Sequence, residues 1–337
     1  METILQLLKE NILQRKHNIT EFLKNASAQT VSIRVGPVGE KAAEKQLQQL
    51  DTLLKKADDQ TLGHCEICHD LVDENRLEMD YSSSVCLEHL SVEERTRLER
   101  DMELSQKVQQ ALLPHTTPDI RGLDVAAFSQ PAHIVGGDYF DFLRFKDGSH
   151  ALAIADVMGK GMSASMLMSN LQASLRILTP ESEGPAHVIS RLSGLFCRNI
   201  RLTKFVTFFL AQFVESTRTL TYCNAGHNPP LLHRRNGSIE RLMPTGPAIG
   251  LIEQSVYSQR SLVLQPGDRI MLYTDGVVES FNHKEEMYGE EKLEQFLKET
   301  SPMSGSQAIA SLREALRAFT KISTPADDTT IIVVTAL

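Results

Sequence analysis

The stretch 151-ALAIADVMGKGMSAS-165 decides how the second half of this chain folds. A run of small and branched apolar residues reads as a strand buried on both faces. It ends in one acid, Asp156, and Gly159-Lys160-Gly161 then turns the chain into a segment with helical spacing. A carboxylate at the end of a buried strand is costly unless something compensates its charge. The pattern recurs. IVGGDYFDF puts Asp138 at a strand start, RIMLYTDGVVES puts Asp275 at the end of an apolar run, and TPADDTTIIVV puts Asp327 and Asp328 just before the last strand. Strand-end acids from distant parts of the chain can converge at one edge of a β-sandwich. Crowded carboxylates repel, and a shared pair of divalent cations removes that cost. An all-oxygen ligand set suits Mg²⁺ or Mn²⁺. A phosphate-binding P-loop at Met158-Gly159-Lys160-Gly161 is disfavoured, because the upstream glycine is missing and Gly follows the lysine.

Working outward, residues 123–129, 138–145, 149–156, 206–215, 218–224, 260–264, 268–274 and 329–336 read as strands. Residues 161–178, 185–200, 288–299 and 305–320 read as helices. Lys146-Asp147-Gly148 and Ser216-Thr217-Arg218 separate strand pairs at hairpin distance. Paired strands with helices between the pairs point to antiparallel sheets covered by helices, an α+β fold, rather than a parallel βαβ sheet.

The N-terminal part has a different texture. Ile4, Leu8, Ile12, Ile19 and Leu23 share one helical face over residues 2–24, flanked by Leu5 and Phe22. Residues 25–39 break the pattern, and Ala43, Leu47, Leu50, Leu54 and Ala57 resume it, so an antiparallel helical hairpin is expected. A third helix is expected over 91–113, with Ser91 and Glu94 forming a capping box. Leu98, Met102, Ser105, Val108 and Leu112 repeat along it as a short heptad seam, suited to pairing two chains. The organisation expected is a helical module over 1–90, a coiled-coil-like linker helix over 91–115 and an α+β domain over 116–337, which the resemblances below imply to be regulatory, connecting and catalytic.

Cys65-x-x-Cys68 and Cys86-x-x-His89, separated by seventeen residues, have the spacing of a closed tetrahedral zinc site. His64 and His69 flank the first pair as alternates. Such a site holds a fold and leaves no position for substrate. Cys197 and Cys223, in a helix and a strand, read as small buried residues. The chain of 337 residues is 41% hydrophobic and 23% charged with a formal charge of −8, which disfavours nonspecific nucleic-acid binding. No apolar run is long enough for a membrane span, and the charged N-terminus does not read as a signal peptide, so a cytoplasmic protein is expected.

Two resemblances follow from these motifs. The helical hairpin, TLGHCEICHDLVDENRLE and the second knuckle resemble the DksA/TraR zinc-finger family over about residues 1–92, with His89 where that family usually has Cys. Its transcriptional members act through acids at the hairpin tip, and residues 25–39 contain none, so sensing or scaffolding is expected rather than a polymerase-directed role. Residues 104–337 resemble the SpoIIE-type branch of the PPM metal-dependent protein phosphatases, through SQKVQQALLP, HIVGGDYFDF, IADVMGKGMSASMLM, YCNAGHNPPLL, GPAIGL, LYTDGVVE and DDTTIIVV in order.

This second resemblance implies an αββα sandwich of two antiparallel sheets flanked by helices, with two Mn²⁺ or Mg²⁺ ions at one end. Asp156 would bridge the ions, Asp138 would support one of them directly or through water, the Val157 carbonyl would be a further ligand, Asp275 would bind the other ion, and Asp327 would be the ligand in DDTT, with Asp328 as its alternate. The implied activity is phosphoserine/phosphothreonine hydrolysis by a hydroxide bound between the ions. The implied substrate is an anti-sigma-factor antagonist with a STAS domain. His227, in NAGHNPP, reads as a turn residue or a site contact, and Lys160 as a phosphate attractor or a solvated lysine. The competing readings are a transcription-associated binding protein acting through the zinc hairpin, and a small-molecule phosphohydrolase.

Overall fold

The opening stretch forms strand and helix as its pattern requires. In a computed structural model, residues His150–Val157 are a strand whose even positions, Leu152 and Ile154, enter one apolar layer. Its odd positions, Ala151, Ala153, Ala155 and Val157, enter another. Burial on both faces explains the unbroken apolar run. The structure describes residues 6, 9–10, 12–13, 16–17, 19–21, 24, 39–72, 77, 83–199, 205–252, 255–321 and 325–337.

The described elements run in order as α1 (Gly39–Asp58), α2 (Val92–Leu112), β1 (Leu123–Gln130), β2 (Tyr139–Arg144), β3 (His150–Val157), α3 (Gly161–Leu178), α4 (Pro185–Asn199), β4 (Val206–Val214), β5 (Thr219–Ala225), β6 (Leu231–His233), β7 (Ile239–Arg241), β8 (Arg260–Val263), β9 (Arg269–Tyr273), α5 (Asp275–Val278), α6 (Gly289–Glu299), α7 (Gly305–Thr320) and β10 (Thr329–Ala336). The chain divides within α2 into units of residues 1–99 and 100–337.

In the second unit two five-stranded sheets are ordered β1-β10-β9-β6-β7 and β2-β3-β4-β5-β8, with every neighbouring pair antiparallel. Phe140, Ile154, Phe209, Leu272 and Ile332 fill the layer between the sheets. Met168, Leu171, Leu175, Val188 and Leu192 of α3 and α4 cover the second sheet. Leu293 and Leu297 of α6 and Ile309 and Leu312 of α7 cover the first. This is the helix–sheet–sheet–helix sandwich expected from the sequence. The short strands β6 and β7 were not anticipated; they form a hairpin around Asn236-Gly237, where Arg234 N–H donates to Ser238 O (2.9 Å).

In the first unit, Ile12, Leu50, Leu53, Leu62, Val72 and Leu77 form a small core. Lys9 pairs with Asp58 (2.7 Å) and Lys16 with Asp51 (2.5 Å). The numbers run in opposite senses, so this part of the chain lies antiparallel to α1. Ile4, Leu5, Leu8, Phe22, Leu23 and the tip at 25–38 lie outside the described residues. The α2 capping box forms: Glu94 N–H donates to Ser91 Oγ (3.2 Å) and Ser91 N–H to Glu94 Oε2 (3.1 Å). Among the described residues no helix is long and apolar enough to cross a membrane.

Candidate functional site

Strand parity brings the acids together. On β3 the even residues face the layer between the sheets, so Asp156 continues that face beyond Ile154. On β2 Phe140 and Phe142 share the layer, and Asp138 precedes them in the same phase. The β2–β3 register pairs Tyr139 with Ala155, so Asp138 lies across from Asp156. In the facing sheet Ile270 and Leu272 of β9 lead to Thr274, and Ile332 of β10 leads back to Thr330 and Asp328. Tyr273 pairs with Ile331, which sets Thr274 beside Thr330. All of these meet at one end of the sandwich.

Asp138 joins the two sheets there. Its Oδ2 accepts from Thr274 Oγ1 (2.8 Å) and Thr330 Oγ1 (2.7 Å), which leaves Oδ1 unclaimed by either hydroxyl. Burial, then Asp156 and Asp328, push its carboxyl well above the usual range. Asp156 is raised to about 7, chiefly by burial and then by Asp275, Asp327, Asp328 and Glu279. Asp275, opening α5, is raised to about 6 by burial, Asp327 and Glu279, against relief from the Gly276 N–H and Lys160. Five aspartates therefore share one electrostatic neighbourhood.

Asp327 and Asp328 have different surroundings. Asp328 is buried, and its carboxylate accepts from Ala132 N–H (2.8 Å) and Gly137 N–H (2.6 Å). Asp327 is half exposed and ion-paired with Lys160 (2.9 Å), whose ammonium also donates to Ala326 O (3.0 Å). Lys160 thus spans the rim of the site. The Val157 carbonyl faces Gly137, where a Cβ would lie 2.8 Å from its oxygen. That close approach requires glycine.

Three participants were not expected from the sequence. Glu279 stands one helical turn after Asp275, with its N–H on the Asp275 carbonyl (2.7 Å), and the i,i+4 spacing in DGVVE was the available signal. Thr274 and Thr330 carry the same strand phase as the acids. His227 is buried behind the site with Nδ1 2.9 Å from Thr207 Oγ1, and Thr207 pairs with Asp156 across β3–β4. Burial holds His227 down to about 4, so it is neutral at pH 7. Cys223 is fully buried and Cys197 is half-buried.

A second cluster lies in the first unit. Cys65, Cys68, Cys86 and His89 bring one ligand atom each within 4.8 Å of one another. Cys68 Sγ is 3.9 Å from Cys86 Sγ, and His89 Nδ1 is 3.7 Å from Cys65 Sγ. Cys86 Sγ is 3.0 Å from His89 Nδ1. The alternates His64 and His69 are outside this group.

The family model for Stage II sporulation protein E (SpoIIE) matches residues 146–337, a segment that carries Asp156, Asp275, Asp327 and Asp328. The chain belongs to the SpoIIE family. Phosphoserine phosphatase RsbU of Bacillus subtilis is 32% identical over 183 residues, which are 54% of this chain and 54% of RsbU. Phosphoserine phosphatase RsbP of the same organism is 25% identical over 185 residues, 53% of this chain and 45% of RsbP. The chain thus spans about half the length of these relatives. Among solved structures, the SiaA-PP2C domain of Pseudomonas aeruginosa superposes with a TM-score of 0.63 at 16% identity, covering 72% of this chain and 98% of that one. The RsbU and RsbW domains of a Mycobacterium tuberculosis protein superpose at 0.56 with 26% identity, covering 67% and 63%. The SiaA match establishes a shared fold.

Proposed function

We propose that this chain is a metal-dependent protein phosphatase that hydrolyses phosphoserine or phosphothreonine on a regulatory protein. The observation that carries this reading is the convergence of Asp138, Asp156, Asp275 and Asp327 at one end of the sandwich, with Lys160 ion-paired to Asp327 at its rim. Carboxyls driven up to about 7 and 6 by mutual proximity and burial fit a site made to share added positive charge. The donors are oxygen atoms, which match the hard cations Mn²⁺ and Mg²⁺. The residues that would hold two such ions are Asp156, Asp138, Asp275 and Asp327, with the Val157 carbonyl. Asp328 is assigned a supporting role, because both its oxygens already hold the 132–137 loop. The solved structure of RsbX, a neighbour by fold, contains magnesium.

When bound, such ions lower the pKa of water and offset charge on phosphoryl oxygens. The chain's own residues do the positioning. Thr274 and Thr330 fix one oxygen of Asp138, so the other is aimed without loss of rotamer freedom at the moment of binding. Lys160 holds Asp327 at the rim and adds positive charge beside the path of an incoming phosphate. Neutral His227 packs against Thr207 and keeps the end of β3 in place.

The finer readings are proposals of the same kind. The two phosphoserine phosphatases among the relatives support a phosphoprotein substrate, read as an anti-sigma-factor antagonist of the STAS type. The Cys65–Cys68–Cys86–His89 group is read as a structural Zn²⁺ site in a DksA/TraR-like regulatory module, and its thiols suit the reducing cytoplasm. Val108 of the heptad seam, 54% exposed on α2, supports pairing of two chains along this helix. The test of the enzymatic reading is phosphate release from a phosphoserine protein with and without Mn²⁺, wild type beside Asp156→Asn. Mn²⁺-dependent release abolished by the substitution is expected; release that survives it contradicts the reading.

A further inference from the structure

Helix α2 has one buried side chain, and it is polar: Gln109. Its amide pairs with both backbone groups of a single residue. Nε2 donates to Gly136 O (2.6 Å), and Gly136 N–H donates to Oε1 (3.0 Å). A side chain that satisfies both backbone groups of one residue replaces a strand partner, and so fixes that peptide in position and orientation. The opposite face of Gly136 is closed as well. A Cβ there would lie 2.7 Å from the Asp328 carboxyl carbon. The next residue, Gly137, donates to Asp328 Oδ2, and the one after it is Asp138. Gly136 is therefore clamped between α2 and the end of β10, two residues before the acid that joins the sheets. The helix is itself anchored at this end, where Gln172 Nε2 of α3 donates to Leu112 O (3.4 Å).

We propose that Gln109 is a positioning residue: from α2 it fixes the Gly136–Asp138 segment so that Asp138 meets a divalent cation. This rests on the cation-binding reading above. At a buried helix position a purely apolar anchor would pack without an amide to satisfy. The amide is needed only if the Gly136 peptide must be held in one orientation. Loss of a residue that orients a metal ligand weakens metal affinity by about 10–100-fold.

The test uses the full chain and its Gln109→Leu and Gln109→Glu variants, with Gln110→Ala on the exposed side of the same turn as control. Mn²⁺ affinity is measured by calorimetry, backbone amide exchange at 132–138 by mass spectrometry, and melting temperature in parallel. Gln109→Leu is expected to weaken Mn²⁺ binding about 10–100-fold and to speed exchange at Gly136 and Gly137. Gln109→Glu keeps an acceptor for the Gly136 N–H but loses the donor, and is expected to fall between. Gln110→Ala is expected to match wild type in all three measurements. Variants that melt lower yet bind Mn²⁺ with wild-type affinity would reduce Gln109 to a packing residue and overturn the proposal. So would unchanged exchange at Gly136. Absence of Mn²⁺ uptake by the wild-type chain would instead overturn the cation-binding reading itself.

Discussion

Gly137→Ala tests whether the close approach of the 132–138 loop to β3 is functional. The added Cβ would lie 2.8 Å from the Val157 carbonyl oxygen and 3.3 Å from the Ala164 Cβ. Ordinary carbon–oxygen contact needs about 3.4 Å, so roughly half an ångström must be found. Neither neighbour yields easily. Val157 ends a central strand, and Ala164 is fully buried in α3. The shift therefore falls partly on Val157 and partly on Asp138, both proposed to face the cations. Overpacking of this kind costs about 1–3 kcal/mol, or a fall of about 2–10 °C in melting temperature for a domain of this size. A 1 Å misplacement costs about 100-fold in rate, so half of that predicts a loss of about tenfold in phosphatase turnover. Gly194→Ala is the control. It lies in α4 with open space around it, and should stabilise by about 0.5–1 kcal/mol without changing turnover. Phosphate-release kinetics with a Mn²⁺ titration, read beside thermal melts, decide the matter. Gly137→Ala that turns over within twofold of wild type at the same Mn²⁺ requirement would refute the reasoning.

Further outcomes follow from the same geometry. Asp156 and Asp275, raised to about 7 and about 6, are largely and half protonated at pH 6, so Mn²⁺ binding should release more than one proton there, and the share from these two should all but vanish at pH 8.5. Calorimetry in two buffers of different ionisation enthalpy measures this. Because these folded-state pKa values lie above the unfolded ones, the metal-free chain should lose stability as pH rises from about 4 to 7, and Mn²⁺ should reverse the trend. His227 acts in the opposite sense. Held at about 4 against an ordinary 6.5, it withdraws up to about 3 kcal/mol of stability as pH falls between those values, which should appear as the difference in pH slope between wild type and His227→Gln in denaturant melts. Removal of the proposed Zn²⁺ with a chelator, or Cys68→Ser, should loosen residues 62–89 in amide exchange while leaving exchange in β3 and β10 unchanged.

Much of the second unit was legible in the sequence because its central strands are buried on both faces. HALAIADV and TTIIVVTA carry the unbroken apolar runs ALAIA and IIVV, so their bounds could be read to within a residue. Helices α3 and α7 follow the expected 161–178 and 305–320 for a similar reason, their ends being marked by Gly161 and by the Ser304–Gln307 capping box. β6 and β7 escaped because three residues give no period to count, although Asn236-Gly237 is a hairpin turn signal. The strand-end aspartates stood out as charges where apolar residues belong. Their partners did not: Thr274 and Thr330 look like ordinary strand residues until strand register sets them side by side. Gln109 was hidden within a charged helix, since no sequence pattern tells which of Gln106, Gln109 and Gln110 turns inward. The distinction between Asp327 and Asp328 likewise required the loop at 132–137, which is remote in sequence.

The central claim is that aspartates at the ends of separate strands hold a pair of divalent cations. Calorimetric titration of the full chain with Mn²⁺ at pH 7.5 tests it directly, with wild type set beside Asp156→Asn and Asp275→Asn. Two ions per chain are predicted for wild type, with uptake weakened at least tenfold by Asp156→Asn. Absence of uptake, or uptake that both substitutions leave unchanged, would contradict it.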